Sequence, residues 1–288
     1  SLFITILLLF YSISLIGYGM FLQKAQVSAT LQQVIYDGMN ERFRVFPNYI
    51  KGLFSSPDKF VIDLKFEDLQ QLNFVRAKVL EKGYIEKAYK DLEVNAELTI
   101  LGKKYKIKLS PTGQNLDMIG NPDKYALKVK VKDEKSIYGM REFKLLPPRS
   151  RHNLVEWIGH EIEKRENLIA LKYDFIELSI NGDSKGVYAI EEHFNKELLE
   201  YNHQKEGIMF ALDYDNNIKI FNKNKIMSTA FGENQFYLLN SKWQSFCNDD
   251  IHIGKVLDLD KFATFFAIVD LMDGHHAAIQ QNLKMYFN

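Results

Sequence analysis

The chain has 288 residues, 46% of them hydrophobic, with 37 basic and 37 acidic side chains in balance; this is the composition of a globular protein with material for a sizeable core. Zero net charge gives no electrostatic case for nucleic acid, and the single cysteine, Cys247, excludes an internal disulfide framework or a Cys-rich zinc site. Its setting, Trp-Gln-Ser-Phe-Cys-Asn, predicts a buried bystander.

The sequence opens at Ser1 without an initiator Met and ends at Asn288 inside an apolar run, so it reads as a piece of a longer protein. Leu2 to Leu22 carries no charged side chain. At 1.5 Å rise per residue such a run spans roughly 30 Å, the hydrocarbon thickness of a bilayer, and it exceeds the apolar core of a cleavable signal. Residues 1–22 are therefore expected to be a transmembrane anchor, with the following domain extracytoplasmic. Val27-Ser28-Ala29 resembles a cleavage site, which would make the protein secreted. Residues 23–57 read as a juxtamembrane stalk, and 58–288 as the folded domain.

Phe60 to Phe66 alternates as a strand, and Glu67 to Lys82 has helical spacing through Leu69, Leu72, Val75, Val79 and Leu80, stopped by Gly83. Ala96 to Leu109 predicts a hairpin turning at Gly102. Ser110 to Lys124, rich in Pro, Gly, Asn and Asp, predicts a loop. Tyr125 to Lys132 is another alternating strand with Lys128, Lys130 and Lys132 on one face, either solvated or turned toward phosphate. Arg141 to Arg151 is a strand broken by Pro147 and Pro148, followed by a helix from Asn153 to about Asn167 with an apolar stripe of Leu154, Val155, Ile158 and Ile162. Tyr173 to Phe194 is the clearest hairpin, with Asn181-Gly182 at its turn. Adjacent on its second arm, Glu191 and Glu192 point to opposite faces, so only one can serve a given site. Asp260 to Met272 reads as an apolar helix and Asn282 to Phe287 as a strand. Strands first, helices interleaved later and hairpin connections predict an α+β fold with mainly antiparallel sheet.

The stretch joining that last helix and strand, Asp270 to Asn282, holds a carboxylate at Asp273, the pair His275-His276 and the carboxamide of Asn282. Phosphotransferases use such a loop, an Asp orienting the attacking hydroxyl and a downstream Asn holding a magnesium ion. The bland readings stay beside it: Asp273 as a helix end, and the histidines as a hydrogen-bonded loop, as catalytic helpers or as metal ligands.

The run Tyr138-Gly-Met-Arg-Glu-Phe-Lys-Leu-Leu-Pro-Pro-Arg-Ser-Arg-His-Asn153, then Leu168 to Gly182 and Gly186-Val-Tyr-Ala-Ile-Glu-Glu-His-Phe194, resembles the CotH family of atypical kinases, in ordered blocks from about Phe60 to Asn288. The resemblance implies a divergent protein-kinase-like fold that transfers the terminal phosphoryl group of ATP, with Mg2+ or Mn2+, to Ser or Thr of partner proteins. It also implies Lys130 or Lys144 as the cation at the nucleotide phosphates, Glu191 as the partner of a lysine or of the nucleotide, Asp273 and His276 as catalytic residues and Asn282 as the metal ligand. Lys144 could equally be a surface residue. One departure stands out: spore-coat kinases place the metal Asn five positions after the catalytic Asp, whereas Asp273 and Asn282 lie nine apart. The family's second metal-binding Asp would lie beyond Asn288. Two other readings compete, a catalytically inactive surface binding or adhesion protein on the same fold, and a metal-dependent hydrolase using Asp273, His275 and His276.

Overall fold

The computed structural model describes residues 56–86, 89, 92–113, 116–119, 121 and 123–287. The expected transmembrane anchor and nearly all of the stalk lie outside these residues. Among the described residues no helix is long and apolar enough to cross a membrane.

Seven strands close into a barrel. Strand β1 (Lys59–Leu64) leads into helix α1 (Phe66–Lys82), and β2 (Val94–Ile100), β3 (Lys103–Pro111), β4 (Leu127–Val131) and β5 (Glu142–Leu146) follow. After β5 come a single 3-10 turn (Pro148–Arg151), helix α2 (Val155–Arg165), and the long hairpin β6 (Tyr173–Ile180) and β7 (Asp183–Glu192). The order around the barrel is β1-β2-β3-β4-β5-β7-β6, every neighbouring pair antiparallel except the closing one, where β1 runs parallel to β6 with Phe60 opposite Leu178. The α+β, mainly antiparallel character agrees with the sequence pattern. Closure does not follow from it, because alternation identifies a strand and its faces but not its partner.

Local chemistry sets the corners. The β2–β3 turn puts Leu101 at φ 48° and Gly102 at φ 75°, and the β6–β7 turn puts Asn181 at 49° and Gly182 at 81°. Two successive left-handed residues make the tight turn whose twist matches antiparallel strands. Asn181 also ties its turn to β1, its amide donating to the Leu64 carbonyl at 3.0 Å and its carbonyl accepting from Leu64 N–H at 2.9 Å. Helix α1 ends where expected, with Gly83 at φ 82° donating its N–H to the Val79 carbonyl.

Alternate residues of each strand fill the barrel: Phe60, Ile62, Leu98, Ile107, Leu109, Val129, Phe143, Leu145, Leu178 and Ile190 are all buried. Truncating one of them, such as Phe143, would cost about 3–5 kcal/mol, well above the worth of a surface ion pair. The core therefore holds the scaffold, and the outward residues between its members are free for chemistry.

Beyond β7, helix α3 (Lys196–Tyr201) leads to a three-stranded sheet in which β8 (Ile208–Leu212) is central, with β9 (Ile218–Ile220) on one side and β10 (Met285–Phe287) on the other. Helices α4 (Ala230–Cys247) and α5 (Leu259–Leu271) lie between β9 and β10 in the chain. Thr229 caps α4, its hydroxyl accepting from Gly232 N–H at 3.1 Å, and Asp258 caps α5 through Lys261 N–H at 3.2 Å. Trp243 and Leu239 of α4 pack with Phe210 and Leu212 of β8 in a second apolar cluster.

Three expectations need correction. Cys247 is exposed, because it ends α4 rather than facing its core. The stripe of α2 is not buried: Leu154, Val155 and Ile158 are 56%, 41% and 38% exposed. The expected loop at 110–124 begins two residues later, because β3 continues to Pro111, and it contains a helical turn at Leu116–Ile119.

Candidate active site

The outward residues of neighbouring strands line up in rows across the barrel. One row runs Ser110, Lys128, Lys144, Glu191 and Tyr173 over β3, β4, β5, β7 and β6. The next contains Lys108, Lys130 and Glu142. Because the side-chain period of a strand is two, inward Phe143 and Leu145 oblige Lys144 to point outward, and inward Ile190 does the same for Glu191.

Lys144 Nζ donates to Glu191 Oε1 at 2.6 Å, and Arg151 Nη2 approaches Glu191 Oε2 at 3.5 Å. The side chain of Glu191 is only 4% exposed and that of Lys144 is 24%. Burial alone would raise the Glu191 carboxyl, yet Lys144, Arg151 and His160 together outweigh it and hold the group below the usual carboxylate range. Arg151 reaches Glu191 because Pro147 and Pro148 end β5 and turn the chain into the 3-10 turn that carries it. Above the row lies α2, whose His160 Nδ1 lies 2.9 Å from Glu163 Oε2 and whose ring sits tilted, 5.6 Å from that of Tyr173. Burial would depress His160, but Glu163, Glu156 and Glu191 more than offset this and raise it. Around Glu191, Arg151 Nε, His160 Nε2 and the Tyr173 hydroxyl are buried without hydrogen-bond partners.

Glu192 occupies the other face, as alternation requires, at the end of β7. Its Oε2 accepts from Lys172 N–H at 3.1 Å and the Lys172 ammonium stands 3.6 Å from Oε1. Here burial dominates, and the carboxyl is raised despite Lys172. The two adjacent glutamates are thus electrostatic opposites, and it is Glu191 that meets a lysine on the outer face.

Of the two candidate lysines, the structure pairs Lys144 with Glu191 and leaves Lys130 exposed beside Glu142. The expected lysine face of β4 is divided: Lys128 pairs with Glu142, and Lys132 donates to Asn95 Oδ1 at 2.5 Å. Glu142 also lies 3.2 Å from His193 Nε2. Burial lowers His193.

The loop after α5 is built differently. Asp273 has φ 50° and a side chain 95% exposed, with His275 Nε2 3.4 Å from its Oδ1. His275 and His276 open a 3-10 turn that ends at Ala278. Asn282 Nδ2 donates to the His276 carbonyl at 2.9 Å, which turns the amide oxygen away from that backbone. His276 thus meets this loop through its carbonyl, which steadies Asn282. The loop returns toward the barrel through Lys284, whose ammonium lies over the rings of Phe194 and Phe221, and on which the charge of Lys144 acts. Among the described residues no group of three His, Cys, Asp or Glu could hold a metal ion.

Sequence reasoning missed Arg151, His160, Lys284 and the Glu142–His193 contact. Arg151 follows the proline break that the sequence already marked. For His160 and Lys284 the sequence carries no local signal, since their roles come from elements distant along the chain.

A family model described as CotH kinase protein matches residues 117–286, more than half of the chain, from the loop before β4 to β10. That span is shorter than the resemblance reaching back to Phe60, and it leaves β1, β2 and β3 outside. No curated protein matches the chain.

Proposed function

The chain belongs to the CotH kinase family, and on that premise we propose that it is an atypical protein kinase on a divergent kinase-like fold, transferring the terminal phosphoryl group of ATP to Ser or Thr hydroxyls of partner proteins. The observation that carries this reading is the part-buried pair Lys144–Glu191, at 2.6 Å on the outer face of the barrel. A lysine held by a glutamate on neighbouring strands presents a fixed ammonium to phosphate oxygens, and stabilising phosphate charge is most of what a phosphoryl-transfer site must do.

In this reading Lys144 meets the nucleotide phosphates, with Glu191, itself paired to Arg151, preventing its ammonium from swinging away. Asp273 accepts the hydroxyl proton of the acceptor, and its exposure suits a residue that must meet another protein. Asn282 offers its amide oxygen to Mg2+ or Mn2+. Magnesium is usually held by one or two carboxylates with phosphates and water completing its shell, and the Asn282 carboxamide would be one further contact of the kind a kinase catalytic loop supplies. When bound, the ion neutralises phosphate charge. The segment 2–22 would anchor the domain in a membrane, with the kinase domain outside the cytoplasm.

A second reading, an inactive binding or adhesion protein, is favoured by two observations: among the described residues the Asp273 side chain meets only His275, through a long contact, and the loop spacing of nine differs from that of the spore-coat kinases. Incubating the full chain with magnesium, labelled ATP and a casein-like acceptor separates the two. The kinase reading predicts label on the acceptor that is lost in K144M. No label in the wild type favours the binding protein.

A further inference from the structure

The turn between β8 and β9, residues 213–217, is held from within. Asp213 Oδ1 accepts from the N–H groups of Asp215 at 2.9 Å and Asn217 at 2.8 Å, and the Asn216 N–H donates to the Asp213 carbonyl at 3.1 Å. Asn216 stands at φ 62°, a left-handed backbone that few side chains besides Asn and Asp accept. Its two oxygens are committed to different parts of the chain. The backbone carbonyl accepts from the indole N–H of Trp243 at 2.9 Å, and Trp243 is buried in the apolar cluster of α4 and β8. The side-chain oxygen Oδ1 accepts from Gln280 Nε2, in the 273–282 loop.

Topology brings these two segments together independently of that bond. Strand β10 pairs antiparallel with β8, Met285 opposite Phe210 and Phe287 opposite Ile208. Followed backward from Met285, the chain therefore runs toward the end of β8, where the 213–217 turn begins. Gln280 lies on this segment, one residue past Ile279, whose carbonyl accepts from Asn282 N–H at 2.7 Å and Leu283 N–H at 2.9 Å. Gln280 is thus inside the turn that presents Asn282. Through Asn216 that turn is tied to a buried tryptophan, whereas Asp273, at the other end of the loop, has among the described residues only the His275 contact.

We propose that Asn216 is a positioning residue for the 273–282 loop, its side-chain amide holding Gln280 and so fixing where the Ile279–Asn282 turn offers the Asn282 side chain. What the loop does rests on the kinase reading above; how it is held rests on the two hydrogen bonds of Asn216. Asn supplies two features at once, tolerance of the left-handed backbone and a side-chain acceptor. Gly supplies only the first, and Asp supplies both. That asymmetry separates the side-chain contact from the fold of the turn.

The test compares N216G and N216D with wild type in the full chain, by amide hydrogen exchange of the loop, thermal midpoint and transfer to the casein-like acceptor. N216G keeps the turn and the Trp243 bond but loses the hold on Gln280. Its Asn282 and Leu283 amides are expected to exchange about fivefold faster, the factor that one neutral hydrogen bond is worth. Its kcat is expected to fall roughly tenfold or more, since misplacement by about 1 Å can cost about a hundredfold, with the midpoint close to wild type. N216D, whose carboxylate still accepts from Gln280, is expected to stay near wild type in all three. Unchanged loop exchange in N216G overturns the proposal, as do equal losses in N216G and N216D. A merely structural role would lower the midpoint and leave kcat of the folded protein unchanged, which also overturns it. If wild type transfers no phosphate while N216G speeds exchange in the loop and N216D does not, the kinase reading fails and the anchoring of the loop by Asn216 stands.

Discussion

Glu191 and Asp273 are both carboxylates of the candidate site, yet the side chain of Glu191 is 4% exposed and meets two cations, whereas that of Asp273 is 95% exposed and, among the described residues, meets only His275. The first belongs to the scaffold. Its position follows from inward neighbours on β7, from Lys144 directly opposite on β5, and from the turn that delivers Arg151. The second sits on a turn between a helix and a short strand, where backbone shape rather than packing fixes it. A site assembled this way has one half that cannot be changed without disturbing the fold and another half that can. The difference makes stability a probe for telling the halves apart.

The largest effect is expected at the barrel. K144M should cut transfer to an acceptor to a small residual rate, and it should also lower folding stability by about 3 kcal/mol, at the low end of what breaking a buried pair costs because Lys144 is partly exposed and Arg151 remains beside Glu191. Denaturant unfolding alongside a labelled-ATP assay reads both. A variant that lost activity with no change in stability would show that the pair is less buried in solution than its geometry indicates.

At the loop, the same loss of transfer should come without destabilisation. Asn tolerates the left-handed backbone that Asp273 adopts, and the side chain is exposed. D273N should therefore keep its stability within about 0.5 kcal/mol. A large drop in its midpoint would mean that Asp273 holds the loop together, and the contrast with Glu191 would collapse.

Smaller and finer is the pH dependence of the barrel. Glu191 is held below its unfolded value, so its contribution is present above the unfolded pKa and is lost as pH falls through the lower folded one. Glu192 is raised, so its ionisation weakens the fold as pH climbs from the unfolded pKa through the higher folded one. Acid titration of stability should thus be flatter at its low end in E191Q, while E192Q should lose less stability than wild type between acid and neutral pH. Identical profiles in the two variants would contradict the opposite electrostatics of these neighbours.

How much of this was legible in the sequence follows the same division. The hairpins at 96–109 and 173–194 were readable because their turns need left-handed residues, supplied by Gly102, Asn181 and Gly182. The stop at Gly83 was readable for the same reason. That Glu191 and Glu192 face apart followed from strand period alone. Parallel pairing of β1 with β6 was not readable, because the residues that meet are more than a hundred positions apart and either edge of β1 could have taken a partner. The exposed stripe of α2 misled for a related reason: spacing shows that a face is apolar, not that anything covers it. Lys144 was named through the family resemblance, but its choice over Lys130 needed the register that sets it against Glu191. The place of Lys284 over Phe194 and Phe221 was not readable either, because both rings lie far from it along the chain.

The central claim is that barrel and loop serve one reaction. It is tested most directly by the rates of phosphate transfer to an acceptor in wild type, K144M, D273N and the double variant, each at saturating ATP and with its residual rate measured. If the two halves act as one site, the double variant loses no more than the worse single variant, because residues that work as a unit are not additive. Losses that multiply, or a D273N enzyme as fast as wild type, would contradict the account and leave the barrel pair without the loop as its partner.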